Sequence, residues 1–319
     1  MKLTVLGCGR WGSFLTWYLQ GLGHEVTLYG RADSARMQAL MATRTNGQVT
    51  LPASVTLCCD LERAIKHAQT LVISVGAQNL RELMRQLAGL HPTCQDAVLC
   101  MKGLEIGTGA RLSQIAAEYL PPGCGVAVWL GPGHVQEFTA GIPNCMVIDS
   151  QSEAVKDRLI NAFKGGLIRF YYGQDLLGNE MGGAAKNVIG IAAGMLDGMG
   201  LSNLKGALMS RGTREIARLI CAMGGSEQSA YGLCHLGDYQ ATVFSPFSHN
   251  RSFGEHVVSG EPFTALAEGC YTVKAMLALE ARYEVELPIC NAIHAVLYQD
   301  ADARTELDAL FTRSLKREF

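Results

Sequence analysis

The chain has 319 residues, 48% of them hydrophobic and 18% charged, with a formal net charge of −2. That length is enough for two domains with separate cores, and that composition excludes a disordered chain. The near-neutral charge gives no reason to expect nucleic acid or an anionic membrane as partner, so any anion-binding surface has to be local.

From the N-terminus, KLTVLG (2–7) reads as a short buried strand ending in glycine, and WGSFLTWYLQGLG (11–23) as a helix that stops at Gly21 and Gly23. EVTLYG (25–30) predicts a second strand, and ADSARMQALMATR (32–44) a second helix capped by Asp33 or Ser34. SVTLCCD, TLVISVG, DAVLCMKG and GVAVWLGPG predict further strands, and LRELMRQLAGL an amphipathic helix between two of them. Short apolar strands alternating with helices predict a parallel sheet covered on both faces, an α/β doubly wound domain over residues 1–176. Beyond it, GGAAKNVIGIAAGMLDGM, LKGALMSRGTREIARLICAMG, EPFTALAEGCYTVKAMLALEARY and LPICNAIHAVLYQD carry helical periodicity, with Pro246, Pro262 and Pro288 at the breaks. They predict a mainly α-helical domain over 177–319, with a disordered tail after Leu315.

The eleven cysteines include no C-x-x-C pair and lie mostly in apolar runs. This argues against a disulfide framework and for a reduced, cytoplasmic setting. Cys58 and Cys59 lack spaced Cys or His partners, so no metal is expected. The first apolar run is too short for a signal peptide, and no stretch approaches the ~18 apolar residues of a membrane span.

LGCGRWG places Gly7, Gly9 and Gly12 as G-x-G-x-x-G directly after a strand and at the mouth of a helix. Gly7 suits the tight turn, Gly9 close approach of a pyrophosphate, and Gly12 close packing of helix on strand. The helix N-terminus adds free amides and a positive dipole end. Just after the second strand, Arg31 stands where an NAD-selecting fold usually places an acid, with Asp33 as the competing candidate. An arginine suits a 2′-phosphate, so NADP(H) is the preferred cofactor and NAD(H) the second choice.

MGGAAKNVIGIAAG (181–194) is almost wholly small or apolar, yet holds Lys186 and Asn187. Burying an ammonium is costly, so this lysine calls for a chemical reason. CMKGLE with Lys102, LGPGHVQE with Gly131 and Gly133, HLGDYQAT with Asp238 and Thr242, SHNRSFG, and AEG at 267–269 complete an ordered set. Together with the glycine turn, this set resembles the NAD(P)-dependent glycerol-3-phosphate dehydrogenases over nearly the whole chain. The resemblance implies a Rossmann-type domain followed by a helical domain like the C-terminal domain of 6-phosphogluconate dehydrogenase. It implies a homodimer, and dihydroxyacetone phosphate and sn-glycerol 3-phosphate as substrates.

The resemblance also implies roles. Lys186 matches the proton donor and acceptor, and Lys102, Asn187, Asp238 and Thr242 match positions around the substrate. Gly131, Gly133, Ser248, His249 and Asn250 fall on the substrate side, with Asn250 on its phosphate. Arg10, Trp11, Lys102, Val135, His249, Leu266 and Glu268 fall on the cofactor side. Reducing the ketone needs a hydride at C2 and a proton on the developing alkoxide, and a lysine can stabilise that charge and give the proton. Partial burial and a second ammonium, Lys102, would draw Lys186 down from the ordinary ~10.4, while Asp238 would act the other way and hold it in place. The surrounding small residues would then make room for nicotinamide and substrate.

The sequence also departs from that family. SHNR, Ser248 to Arg251, carries His249 where an arginine is expected to touch both cofactor and phosphate. Histidine is shorter, has fewer donors and is charged only part of the time near neutral pH, which leaves Arg251 as the residue to compensate. Gly76, Gly133 and His235 replace the usual proline, small polar residue and glycine, and His235 becomes a second acid–base candidate. These departures keep two alternatives open: a related NAD(P)-dependent hydroxy-acid or sugar-acid dehydrogenase, and a weakly active NADPH-binding sensor.

Overall fold

The computed structural model describes residues 1–315, 317 and 318, so the tail expected after Leu315 includes two positions, 316 and 319, outside the described residues. The chain divides into two compact units, one of Met1–Lys102 with Ala110–Leu176 and one of Gly103–Gly109 with Leu177–Phe319.

The first unit is built on one eight-stranded sheet. Its strands are β1 (Lys2–Leu6), β2 (Glu25–Tyr29), β3 (Thr56–Cys58), β4 (Thr70–Ile73), β5 (Asp96–Leu99), β6 (Gly125–Leu130), β7 (Asn144–Ser150) and β8 (Ile168–Tyr172). Their order is β3-β2-β1-β4-β5-β6-β7-β8. The helices are α1 (Arg10–Gly21), α2 (Ala35–Thr43), α3 (Leu61–Ile65), α4 (Leu80–Gly89), α5 (Leu112–Tyr119), α6 (Val135–Thr139) and α7 (Glu153–Phe163). β4 and β5 are buried at every residue, as strands covered on both faces must be. The chain winds outward in both directions from β1 and β4, which makes that boundary the switch point where such sheets bind ligands.

Two features depart from the expected all-parallel sheet. β7 pairs antiparallel with β6, and β7 and β8 add two strands that the apolar runs do not announce. β8, IRFYY, is an edge strand with Tyr171 and Tyr172 exposed. A strand buried on one side only carries a weaker apolar signal than a central one.

The second unit contains α8 (Leu176–Gly198), α9 (Lys205–Ala222), α10 (His249–Ser259), α11 (Gly269–Tyr283), α12 (Pro288–Tyr298) and α13 (Ala303–Phe311). Every residue of α8 from Gly178 to Leu196 is buried, so this helix is the axis of the unit's core. The helix expected from residue 261 starts only at Gly269, because Pro262 removes a backbone donor and the chain around it stays irregular. Conversely, α10 arises from a segment read only as a motif, with Ser248 as its cap. Among the described residues no helix is long and apolar enough to cross a membrane, and no group of three or more metal-ligating side chains is gathered.

Candidate active site

The candidate residues form one group in each unit. In the first, β1 runs through the glycine turn into α1. Gly7 has φ +117°, and a Cβ there would lie 2.1 Å from the Ser74 carbonyl oxygen at the end of β4. A Cβ on Gly12 would lie 1.9 Å from the Gly7 carbonyl oxygen, so the turn closes only with glycine at both places. Gly9 differs: an added Cβ meets only Arg36 Nη1, at 3.9 Å. It is the N-cap of α1, with no side-chain cap and no acid in the first turn. The amides at this helix end therefore face a cradle that a side chain would fill, which fits a dinucleotide pyrophosphate.

Arg10 and Arg36 lie at the cradle. Burial, and then the neighbouring charge of Arg36, hold the Arg10 guanidinium below the usual arginine range. Arg36, on the first turn of α2 and seven residues beyond β2, is a further basic residue at this end of the sheet that the motifs alone do not single out. Arg31 is exposed and 3.5 Å from Asp33, so the two rival ribose candidates pair with each other. The cap of α2 is Ser34 and not Asp33. Trp11 packs on Phe14 and Phe138, with ring centroids 5.0 and 6.2 Å apart, and Val135 is buried at the start of α6.

Beyond the C-terminal ends of β5 and β6, Lys102 Nζ donates to the Gly131 carbonyl at 2.7 Å. Gly131 and Gly133 have φ +133° and +147°, a region that favours glycine. The structure thus joins two of the predicted residues in one contact.

In the second unit, α8 presents Lys186 and Asn187. Lys186 Nζ lies 3.2 Å from Asp238 Oδ2 and donates to Thr242 Oγ1 at 2.7 Å. Lys186 is 8% exposed and Asp238 1%, so this is a buried ion pair, which persists only with good geometry and further hydrogen bonds. Thr242 sits in a single π-helical turn, Gln240–Phe244, a form common at functional sites. Asn250 Nδ2 donates to Asn187 Oδ1 at 3.1 Å, and Asn250 Oδ1 accepts from the Gly269 amide at 2.9 Å, which places Glu268 beside this pair in the chain. His249 Nδ1 is 3.3 Å from the exposed Leu266 carbonyl. Ser248 Oγ accepts from the Arg251 amide at 3.3 Å, so it serves as a helix cap.

Three expectations change here. The small residues of α8 make room for the chain itself: a Cβ on Gly190 would lie 2.7 Å from Thr242 Cγ2, and one on Gly194 would lie 1.8 Å from the Arg251 carbonyl oxygen. They let α10 and the Thr242 turn close on the lysine. Arg251 does not stand in for the missing arginine, since it binds Asp197 at 2.6 Å, Glu255 at 2.8 Å and the Ser245 carbonyl at 3.2 Å. His235 is fully buried, with Nδ1 2.9 Å from the Gly182 carbonyl and Nε2 2.8 Å from Tyr239 Oη. Burial lowers its pKa to about 4, so it is a neutral structural residue and not an acid–base group near neutral pH.

The sequence profiles of NAD-dependent glycerol-3-phosphate dehydrogenase match this chain at residues 2–156 for the N-terminus and 175–308 for the C-terminus. A glycerol-3-phosphate dehydrogenase (NAD(P)+) of Thiobacillus denitrificans is 36% identical over 333 residues and spans 100% of both chains. One of Chlorobium phaeobacteroides is 35% identical over 100% of this chain and 99% of that one. The crystal structure of glycerol-3-phosphate dehydrogenase from Coxiella burnetii superposes with a TM-score of 0.92 at 27% identity, covering 98% of this chain and 99% of that one. With both halves matched and relatives this similar along their full length, the chain belongs to the NAD-dependent glycerol-3-phosphate dehydrogenase family.

Proposed function

We propose that the chain reversibly reduces dihydroxyacetone phosphate to sn-glycerol 3-phosphate, with Lys186 giving and taking the proton at the C2 oxygen. The observation that carries this reading is the buried Lys186 amine held between Asp238 and Thr242. When bound, NAD(P)H supplies the hydride that arrives at C2. Lys186 stabilises the oxygen as it gains charge and transfers a proton to it, and in the reverse direction takes that proton back. Asp238 pairs with the Lys186 amine, and Thr242 fixes its direction. Asn187 and Asn250 offer amide donors and acceptors for the substrate's hydroxyl and phosphate groups. The family resemblance gives Lys102, Gly131 and Gly133 substrate-side roles, and His249, Leu266 and Glu268 cofactor-side roles.

Residues 1–176 bind the dinucleotide in this reading and residues 177–319 the substrate. Arg10 and Arg36 at the glycine turn, with Arg31 just after β2, favour NADPH over NADH, because a 2′-phosphate adds charge-assisted contacts that a hydroxyl cannot. The product supplies the glycerol backbone of phospholipids. We place the enzyme in the cytoplasm as a homodimer, supported by the apolar side chains exposed on the second unit, and with no nucleic-acid partner, supported by the net charge of −2.

The test is NADPH oxidation with dihydroxyacetone phosphate, measured beside a panel of 2- and 3-oxo acids and sugar acids. Turnover confined to the triose phosphate supports the reading. Faster turnover of an oxo acid overturns it, and NADPH binding without turnover on any substrate leaves a sensor.

A further inference from the structure

Asp197 lies on α8 eleven residues beyond Lys186, about 16 Å away at 1.5 Å per residue. One carboxylate there gathers three donors: Lys205 Nζ at 2.5 Å, Arg251 Nη1 at 2.6 Å and Ser202 Oγ at 2.5 Å. Both cations reach further. Lys205 Nζ also donates to the Val243 carbonyl at 3.0 Å, and Arg251 Nε to the Ser245 carbonyl at 3.2 Å. Val243 follows Thr242 directly, so two carbonyls flanking Phe244 are held from a single point. Arg251 itself follows Asn250 on α10, which anchors the second polar contact to α8.

The geometry points to Asp197 as a positioning residue for the reaction: through Lys205 and Arg251 it sets the turn that aims Thr242 at the Lys186 amine. α8 then carries both the reacting group and the anchor of the residue that orients it, so one rigid element fixes both ends of the Lys186–Thr242 hydrogen bond. A π-helical turn needs such support, because its hydrogen-bonding geometry is rare and strained by comparison with an α-helix. Burial alone would raise the Asp197 carboxyl, but the hydrogen bonds from Lys205, Ser202 and Arg251 outweigh it and hold it below the usual range. The carboxylate is therefore charged wherever the enzyme works, and its grip on both cations is constant. Neither Asp197 nor Lys205 needs to touch substrate for this.

The inference rests on the reading that Lys186 transfers the proton. Its test measures kcat, the KM for NADPH, the pH–rate profile and the unfolding temperature for Asp197→Asn, Lys205→Met and Lys205→Arg. The first two should lower kcat by roughly 10- to 100-fold, as expected for a catalytic group displaced by about 1 Å. The KM for NADPH should stay within about two-fold of wild type, the alkaline limb of the profile should move, and Lys205→Arg should restore most of kcat. Should Asp197→Asn fail to fold, the two Lys205 variants decide. A lowered unfolding temperature with kcat and pH profile unchanged would make the network merely structural and overturn the inference. Loss of turnover in Lys186→Ala alongside normal kcat in Lys205→Met would sink the positioning role alone. Turnover retained in Lys186→Ala would sink the reading beneath it.

Discussion

Lys186 and Asn187 stand out in the sequence because polar residues in an apolar helix have to be satisfied by something, and the structure supplies Asp238, Thr242 and Asn250. That both need polar partners is legible from residue type and setting, while the roles proposed for them rest on the family resemblance. What spacing cannot convey is which neighbour faces a given side chain. Arg251, the residue that the sequence leaves to compensate for His249, is instead bound to Asp197 and Glu255. Arg36 was missed for the same reason, since nothing in ADSARMQ says that its guanidinium returns to the glycine turn. It leads to a prediction at this scale. Arg36→Ala should raise the KM for NADPH by roughly tenfold or more, the worth of one charge-assisted hydrogen bond, and raise the KM for NADH less, since both cofactors share the pyrophosphate but only NADPH carries the 2′-phosphate. Steady-state kinetics with the two cofactors measure this, and equal losses with both would remove Arg36 from 2′-phosphate recognition.

At the scale of the elements, the alternation of short apolar strands and helices is enough to read β1 to β6, most plainly β4 and β5, which are buried at every residue. β8 escaped since only one of its faces is buried, and α10 escaped since HNRSFGEHVV carries few apolar positions. The glycines of α8 were visible but their purpose was not, because a sequence does not say whether a gap holds ligand or backbone. Gly194→Ala tests the assignment. A Cβ 1.8 Å from the Arg251 carbonyl oxygen forces α10 away from α8, and overpacking of this kind costs ~1–3 kcal/mol or more. Urea unfolding should show that loss, accompanied by reduced kcat as Asn250 moves with α10. Unchanged stability would mean that the two helices are not closed on each other at this point.

The whole molecule balances two buried groups of opposite sign. His235, fully buried, has its pKa lowered from 6.5 to about 4. Between those values the unfolded chain binds the proton and the folded one does not, so this group makes stability rise with pH, by on the order of 3 kcal/mol across the window. Glu215 accepts the Ile289 and Cys290 amides at the start of α12, at 2.9 and 3.0 Å, yet burial raises its pKa from 4.5 to about 7. There the folded chain binds the proton and the unfolded one does not, so stability falls as pH rises from 4.5 to 7, by a similar amount. Between pH 4.5 and 6.5 the two slopes oppose. Relative to wild type, Glu215→Gln should make stability climb more steeply with pH, and His235→Gln should make it climb less or fall. Chemical unfolding at pH 5 and pH 6.5 distinguishes these outcomes, and identical slopes in all three proteins would show that neither group titrates as described.

The most direct measurement is the rate of NADPH oxidation by dihydroxyacetone phosphate in wild type and in Lys186→Ala, with NADPH binding followed separately by calorimetry. Losing the group that moves the proton should lower kcat by roughly 10²- to 10⁴-fold while NADPH binds as before. Turnover at the wild-type rate, with the amine gone and the cofactor still bound, would contradict the account.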